Sequence, residues 1–107
     1  MIKLGVIGST RGTDLQFIID AIKSEKIDAQ VAVVVSNKRT AYILERARIN
    51  EIPSVYISHK NKKREHFDSE ISVVLRKYDV ELVLLIGFMR ILSTRFCADW
   101  SDKVINV

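Results

Sequence analysis

Between an apolar run and the start of a helical pattern, Gly8-Ser9-Thr10-Arg11-Gly12-Thr13 combines two glycines with small hydroxyl side chains. A loop that opens a helix leaves main-chain N–H groups unpaired at the positive end of the helix dipole, so this stretch is a candidate anion site, with phosphate its natural guest. The glycines fall as G-x-x-x-G, and the second strand pattern ends in Ser36-Asn37, where a dinucleotide-binding unit carries an acidic residue. No Gly-Lys-Ser/Thr follows, which also excludes a Walker A loop. A plain strand-to-helix turn is the alternative that pattern leaves open.

Three further stretches can carry chemistry. Lys60, Lys62, Lys63 and Arg64 form a basic cluster ahead of a helical pattern. The planar fork of Arg64 suits a carboxylate, whereas the lysines read as a solvated loop, and no aromatic residue alternates with the charges as a nucleic-acid surface would favour. Gly87-Phe88-Met89-Arg90-Ile91-Leu92 follows the most apolar run and either lines an apolar pocket or packs into the core. Asn106 ends the last apolar run, as a buried amide in need of partners or as a donor aimed into a cleft. His59 and His66 flank the basic cluster and read as surface histidines, while Cys97 and Trp100 read as packing residues.

The elements that position these residues follow from periodicity. Ile2 to Ile7 forms a strand closed by Gly8, and Leu15, Ile18, Ile19 and Ile22 mark a helix from about Asp14, with Thr13 and Gln16 spaced as a capping box. Val31 to Val35 is a strand buried on both faces. A helix from Ala41 to Ile49 carries Leu44 and Ala47 on one face, Ser54 to Ile57 is a strand, and a helix from about Arg64 carries Phe67, Ile71, Val74, Leu75 and Tyr78. Leu82 to Ile86, a short helix from Ser93 to Ala98 and a strand from Lys103 to Val107 complete the order βαβαβαβαβ. Such alternation requires right-handed crossovers, so the expected fold class is α/β, a doubly wound, mainly parallel sheet with helices on both faces. No repeat or linker interrupts the chain, and one domain covers residues 1–107. Ligands of such sheets bind at the carboxyl ends of the strands, which singles out Gly8 to Thr13, Ser36 to Lys38, Gly87 to Leu92 and Asn106.

Composition is that of an ordinary soluble domain: 107 residues, 48% hydrophobic and 28% charged, enough to bury a core. A net charge of +4 suits an anionic partner without naming one. No apolar run approaches the roughly 18 residues of a membrane span and no signal peptide is present, so a cytoplasmic location with no membrane partner is expected. With one cysteine and no Cys or His pair at ligand spacing, neither an internal disulfide nor a metal is expected.

Taken together, Gly12-Thr13-Asp14-Leu15-Gln16, Ser36-Asn37, Leu44-Glu45-Arg46-Ala47, Arg64-Glu65 with Asp68, the hexapeptide Gly87 to Leu92 and Ile105-Asn106 resemble one family. It is phosphoribosylglycinamide formyltransferase, the folate-dependent enzyme of purine synthesis, and the resemblance runs in order from Met1 to Val107. It implies a Rossmann-like formyltransferase fold and transfer of a formyl group from the co-substrate 10-formyltetrahydrofolate to the primary amine of 5′-phosphoribosylglycinamide. By the same resemblance, Gly12, Thr13 and Asp14 hold the substrate phosphate, and Arg64, Met89, Arg90, Ile91 and Leu92 bind the folate. Asn106 matches the catalytic asparagine, whose NH₂ donates to the oxyanion that develops on the formyl group. Both substrates are small molecules, and the resemblance calls for no nucleic acid.

Two departures qualify the match. The family pattern continues Asn-x-His, and that histidine would follow Val107, with a tuning aspartate further on; neither His59 nor His66 falls in a matching position. The expectation is an amino-terminal half that is inactive as a transferase alone, with an uncovered apolar face that favours self-association. Asp14 stands where the family usually has asparagine. Two unit charges about 4 Å apart at an effective dielectric near 20 repel by about 4 kcal/mol, so Asp14 should offer its backbone amide and turn its carboxylate away, with Arg11 as neutraliser. Methionyl-tRNA formyltransferase and formyltetrahydrofolate hydrolase share the Asn-x-His logic and stand as alternatives, as does a non-catalytic phosphate-binding module. Against the first, the loop Gly-Ser-Thr-Arg-Gly-Thr-Asp is unlike that family's opening, and the basic residues are few and local.

Overall fold

β-Branched and leucine side chains fill the strand segments so densely that both faces of the sheet must be covered, and the observed order of elements covers them. The computed structural model describes residues 1–88 and 92–107; the folate-binding expectations at Met89, Arg90 and Ile91 lie outside the described residues. The elements are β1 (Ile2–Gly8), α1 (Thr13–Lys23), β2 (Ala29–Ser36), α2 (Tyr42–Ile49), β3 (Ser54–Tyr56), α3 (Arg64–Lys77), β4 (Leu82–Ile86), α4 (Thr94–Asp99) and β5 (Val104–Asn106). The five strands form one sheet in the order β3-β2-β1-β4-β5, and every pairing is parallel.

The doubly wound expectation is met, and the strand order places its functional consequence. The chain winds outward from β1 through β2 to β3, then returns across β1 to β4 and β5. The direction of winding therefore reverses between β1 and β4, and α1 and α4, the helices that follow these two strands, pack on opposite faces, which is the arrangement that leaves a crevice at the strands' carboxyl ends. One core lies under α1 and α2, where Leu15, Ile19, Ile43 and Ala47 meet Val6, Val34, Leu84 and Ile86. The other lies under α3 and α4, where Phe67, Ile71, Leu75, Phe96 and Trp100 meet Ile7, Val33, Val35 and Val83. From Val33 to Val35 successive residues of β2 alternate between the two cores, as a period of two demands, whereas Ala32 shares the α3–α4 core with Val33 because the β1–β2 register shifts between Leu4 and Gly5.

Several local expectations are corrected. The Thr13–Gln16 capping box does not form: Gly12 is the N-cap, in the left-handed region with φ 72°, and no side chain caps the helix. Thr13 is already the first helical residue, and the Gln16 carboxamide donates to Asp20 Oδ1 at 2.9 Å instead. On α2 the buried residues are Ile43 and Ala47, with Leu44 only half-buried. Strands β1 and β2 extend beyond the expected Ile2 to Ile7 and Val31 to Val35, and β3 and β5 are shorter than expected. Cys97 is exposed rather than packed, because a six-residue helix presents only one side to the core and Phe96 takes it. Trp100 is buried as expected, with its indole N–H donating to Ser72 Oγ at 3.1 Å. Edge strand β5 leaves Ile105 about half exposed, and Val107 just beyond it likewise.

Candidate functional site

The loop after β1 is shaped from behind by α2. Ile43 N–H donates to the Thr10 carbonyl at 3.1 Å, and Arg46 Nε donates to the Arg11 carbonyl at 3.1 Å. In a trans peptide the C=O and the following N–H point in opposite directions, so turning these carbonyls toward α2 sends the N–H groups of Arg11 and Gly12 the other way. Neither N–H has a partner among the described residues. The N–H groups of Thr13 and Asp14, in the first turn of α1, have no intrahelical acceptor and add to them. The result is a concave run of donors at a helix N-terminus, the arrangement that binds anions.

Glycine is required at position 12 for two independent reasons. Its φ of 72° is one L side chains rarely adopt, and an added Cβ would lie 2.4 Å from Ile43 Cγ1. Gly87, with φ 58°, packs the exit of β4 against the same loop: a Cβ there would lie 2.4 Å from Thr10 Oγ1. The two loops of the switch point are therefore in contact. Together Thr10, Arg11, Gly12, Thr13, Asp14, Ile86, Gly87 and Val107 line an open cleft of about 390 Å³.

The expected site residues divide into those the fold gathers here and those it holds elsewhere. Arg11, Gly12, Thr13 and Asp14 all line the cleft. Asp14 is exposed and makes no ion pair with Arg11 among the described residues. Asn106 pairs with Leu85 in register, and Val107 N–H donates to Leu85 O at 2.9 Å, which brings the end of β5 beside β4. Val107 lines the cleft, whereas the exposed Asn106 stands beside it, with no hydrogen-bond partner for its carboxamide among the described residues. Arg64 opens α3 and is exposed, away from the cleft lining. Leu92 is half-buried and packs against the α3–α4 core, as does Phe88.

Two buried polar links support the loops. Asp68, one turn after Arg64 and only 2% exposed, accepts a hydrogen bond from Ser93 N–H, and Ser93 Oγ in turn caps α4 by accepting from Phe96 N–H at 3.1 Å. The chain just beyond Leu92 is thereby tied to α3. Replacing Asp68 by alanine is expected to leave a buried N–H without an acceptor and to lower stability by about 1–3 kcal/mol in urea unfolding. On the other side, Ser9 Oγ donates to Asn37 Oδ1 at 2.7 Å, and Asn37 Nδ2 lies 3.1 Å from His59 Nδ1. Ser9 and Asn37 are 4% and 7% exposed, and the His59 ring stands edge-on to Phe67. His59 is therefore a half-buried member of a polar chain rather than a plain surface histidine, since the strand ends at Asn37 and the loop after β3 converge there. His66 is exposed and pairs with Glu70 at 3.0 Å.

The sequence marks Asn37 as part of a strand end and a family motif and Arg46 as part of a family motif, but gives neither of them, nor Ile43 or His59, a part in supporting the loops. The spacing of three between Ile43 and Arg46 is a further local signal, since it places both on one face of α2.

An all-parallel, Rossmann-like sheet with a run of unpaired N–H donors at its switch point defines a doubly wound α/β protein with an open cleft at its strand ends. Comparison with known proteins narrows this: the chain belongs to the formyl transferase family, whose sequence model matches residues 2–107. It is similar to the phosphoribosylglycinamide formyltransferase of Haemophilus influenzae, with 39% identity over 108 residues covering 100% of this chain and 51% of that protein. It is also similar to the human trifunctional purine biosynthetic protein adenosine-3, with 39% identity over 106 residues covering 98% of this chain and 10% of that protein. Among solved structures, glycinamide ribonucleotide transformylase 1 from Symbiobacterium toebii superimposes with a TM-score of 0.94 at 34% identity, over 99% of this chain and 50% of that one. The chain spans about half the length of the bacterial relative.

Proposed function

We propose that this chain supplies the substrate-phosphate site and the catalytic asparagine of a phosphoribosylglycinamide formyltransferase, acting in purine synthesis. The reaction is transfer of the formyl group of 10-formyltetrahydrofolate to the primary amine of 5′-phosphoribosylglycinamide. One observation carries the reading: unpaired N–H groups of Arg11 to Asp14 face one cleft with the end of β5, in a chain of the formyl transferase family.

In this reading the phosphate sits on the N–H groups of Gly12, Thr13 and Asp14, with Arg11 at the rim offsetting the Asp14 carboxylate. The folate co-substrate supplies the activated formyl group, and Arg64, Met89, Arg90, Ile91 and Leu92 bind it. Attack of the amine on the formyl carbon moves an electron pair onto the formyl oxygen, and its return breaks the bond from that carbon to the folate nitrogen, which leaves with the proton that the amine gives up. The Asn106 NH₂ donates to that oxygen, and such a donor is worth about 3–4 kcal/mol where one has been deleted. Among the described residues neither histidine lines the cleft; His59 is engaged by Asn37 and His66 by Glu70. The 107 residues by themselves are accordingly expected to bind substrate without turning it over. Small-molecule metabolism fits a cytoplasmic location, and among the described residues no helix is long and apolar enough to cross a membrane.

Thermal unfolding of the purified chain with added ligand tests the reading. Phosphoribosylglycinamide at about 100 times its Kd should stabilise the fold by about 2.7 kcal/mol, and ribose 5-phosphate at the same concentration by less. Absence of any shift, together with nucleic-acid binding that falls steeply with salt, would replace the enzyme reading with a nucleic-acid module.

A further inference from the structure

Two hydrogen bonds decide which way the loop's amides point, and they differ in kind. The bond from Ile43 N–H to Thr10 O uses the backbone of α2 and is available to any residue there except proline. The bond from Arg46 Nε to Arg11 O depends on one side chain. We propose that Arg46 is a positioning residue for the anion site: by holding the Arg11 carbonyl against α2, it keeps the Gly12 N–H facing the cleft. The inference rests on the phosphate-binding reading of that cleft and adds a residue that the reading does not contain.

The guanidinium is held from three directions. Besides the bond to the Arg11 carbonyl, its Nη1 donates to Gln16 Oε1 at 3.2 Å and the Tyr42 ring lies under it at 5.0 Å, while the Gln16 amide is itself fixed by donating to Asp20 Oδ1 at 2.9 Å. A planar fork can address the loop carbonyl with Nε and the α1 side chain with Nη1 while stacking on an aromatic face; a lysine ammonium has neither the plane nor the divergent donors. Arg46 does not line the cleft, so its influence on a ligand passes through the Arg11–Gly12 peptide.

The tether is needed because of the residue that follows it. Only glycine fits against Ile43 at φ 72°, yet glycine is also the residue most free to leave that conformation. Rotation of the Arg11–Gly12 peptide would replace a donor by a carbonyl oxygen at the cleft, turning an attractive dipole into a repulsive one for any anion.

The test uses isotopically labelled chain as wild type, Arg46→Lys and Arg46→Met, with Arg48→Met as the control for lost charge on the same helix; Arg48 pairs with Glu45 and does not line the cleft. Without ligand, the Arg11 carbonyl ¹³C resonance should move in both Arg46 variants and stay in the control. With inorganic phosphate, the Arg11 and Gly12 amides of wild type should shift saturably. Both Arg46 variants should then bind about three- to tenfold more weakly, the range of one lost hydrogen bond, even though lysine keeps the charge. Unperturbed sheet amides report that each variant is folded, and if the methionine variant unfolds, the lysine variant decides. An Arg46→Lys chain with an unmoved Arg11 carbonyl and wild-type phosphate affinity overturns the assignment, even where phosphoribosylglycinamide still binds tightly. If wild type binds that substrate no better than phosphate, the formyltransferase reading falls and the Arg46 assignment stands. A wild type that binds neither overturns both.

Discussion

Gly12→Val is expected to remove phosphate-ligand binding and to lower stability by about 2–5 kcal/mol. The stability figure sums roughly 1–2 kcal/mol for a β-branched residue forced into the left-handed region and about 1–3 kcal/mol for overpacking against Ile43, whose Cγ1 lies 2.4 Å from the new Cβ. Relief by moving the loop outward would carry the Gly12 N–H away from its neighbours and break the concave run of donors. Gly12→Ala places its Cβ at the same point with less bulk, and is expected to stay folded while binding weakens at least tenfold, as loss of more than one charge-assisted hydrogen bond requires. Urea unfolding and titration calorimetry with phosphoribosylglycinamide read the two effects separately. A folded alanine variant with wild-type affinity would show that the loop does not hold the phosphate.

Asn106→Ala is expected to cost about 10²–10³ in kcat, the effect of deleting one donor to a developing oxyanion. The rate is measured in a chimera that joins residues 1–107 to the second half of the Haemophilus influenzae relative, with the Asn106 chimera as reference. The KM for phosphoribosylglycinamide should change little, because the proposed phosphate site uses the N–H groups of α1 and the loop before it and not the Asn106 side chain. Asn106 has no partner for its carboxamide among the described residues and sits on a short exposed strand, so its removal breaks no packing. A kcat within a few-fold of the reference would take Asn106 out of the chemistry, while a large rise in KM alone would reassign it to substrate binding.

Much of the architecture was legible because apolar periodicity is a local property. The run Val31 to Val35, apolar at every position, already required cover on both faces, and the structure supplies one core for Val34 and another for Val33 and Val35. The capping box does not form because the same Thr-x-x-Gln spacing fits two entries into a helix, and only the left-handed turn at Gly12 selects between them. Cys97 is exposed for a related reason. Spacing alone does not say which side of a six-residue helix meets the core, and Phe96 rather than its neighbour does so.

What the amino-acid order determined by itself is the alternation of strands and helices, the glycine-bearing turn at the first crossover, and a set of motifs marking the ends of β1, β4 and β5. Which side chains meet there was decided by the tertiary structure alone. Arg46 reaches the Arg11 carbonyl across 35 positions, Asn37 reaches His59 across 22, and Asp68 holds Ser93 across 25. Such contacts depend on strand order and on the rotation of each helix about its axis. Both are set by how the two cores pack as a whole, so they are written in no local spacing.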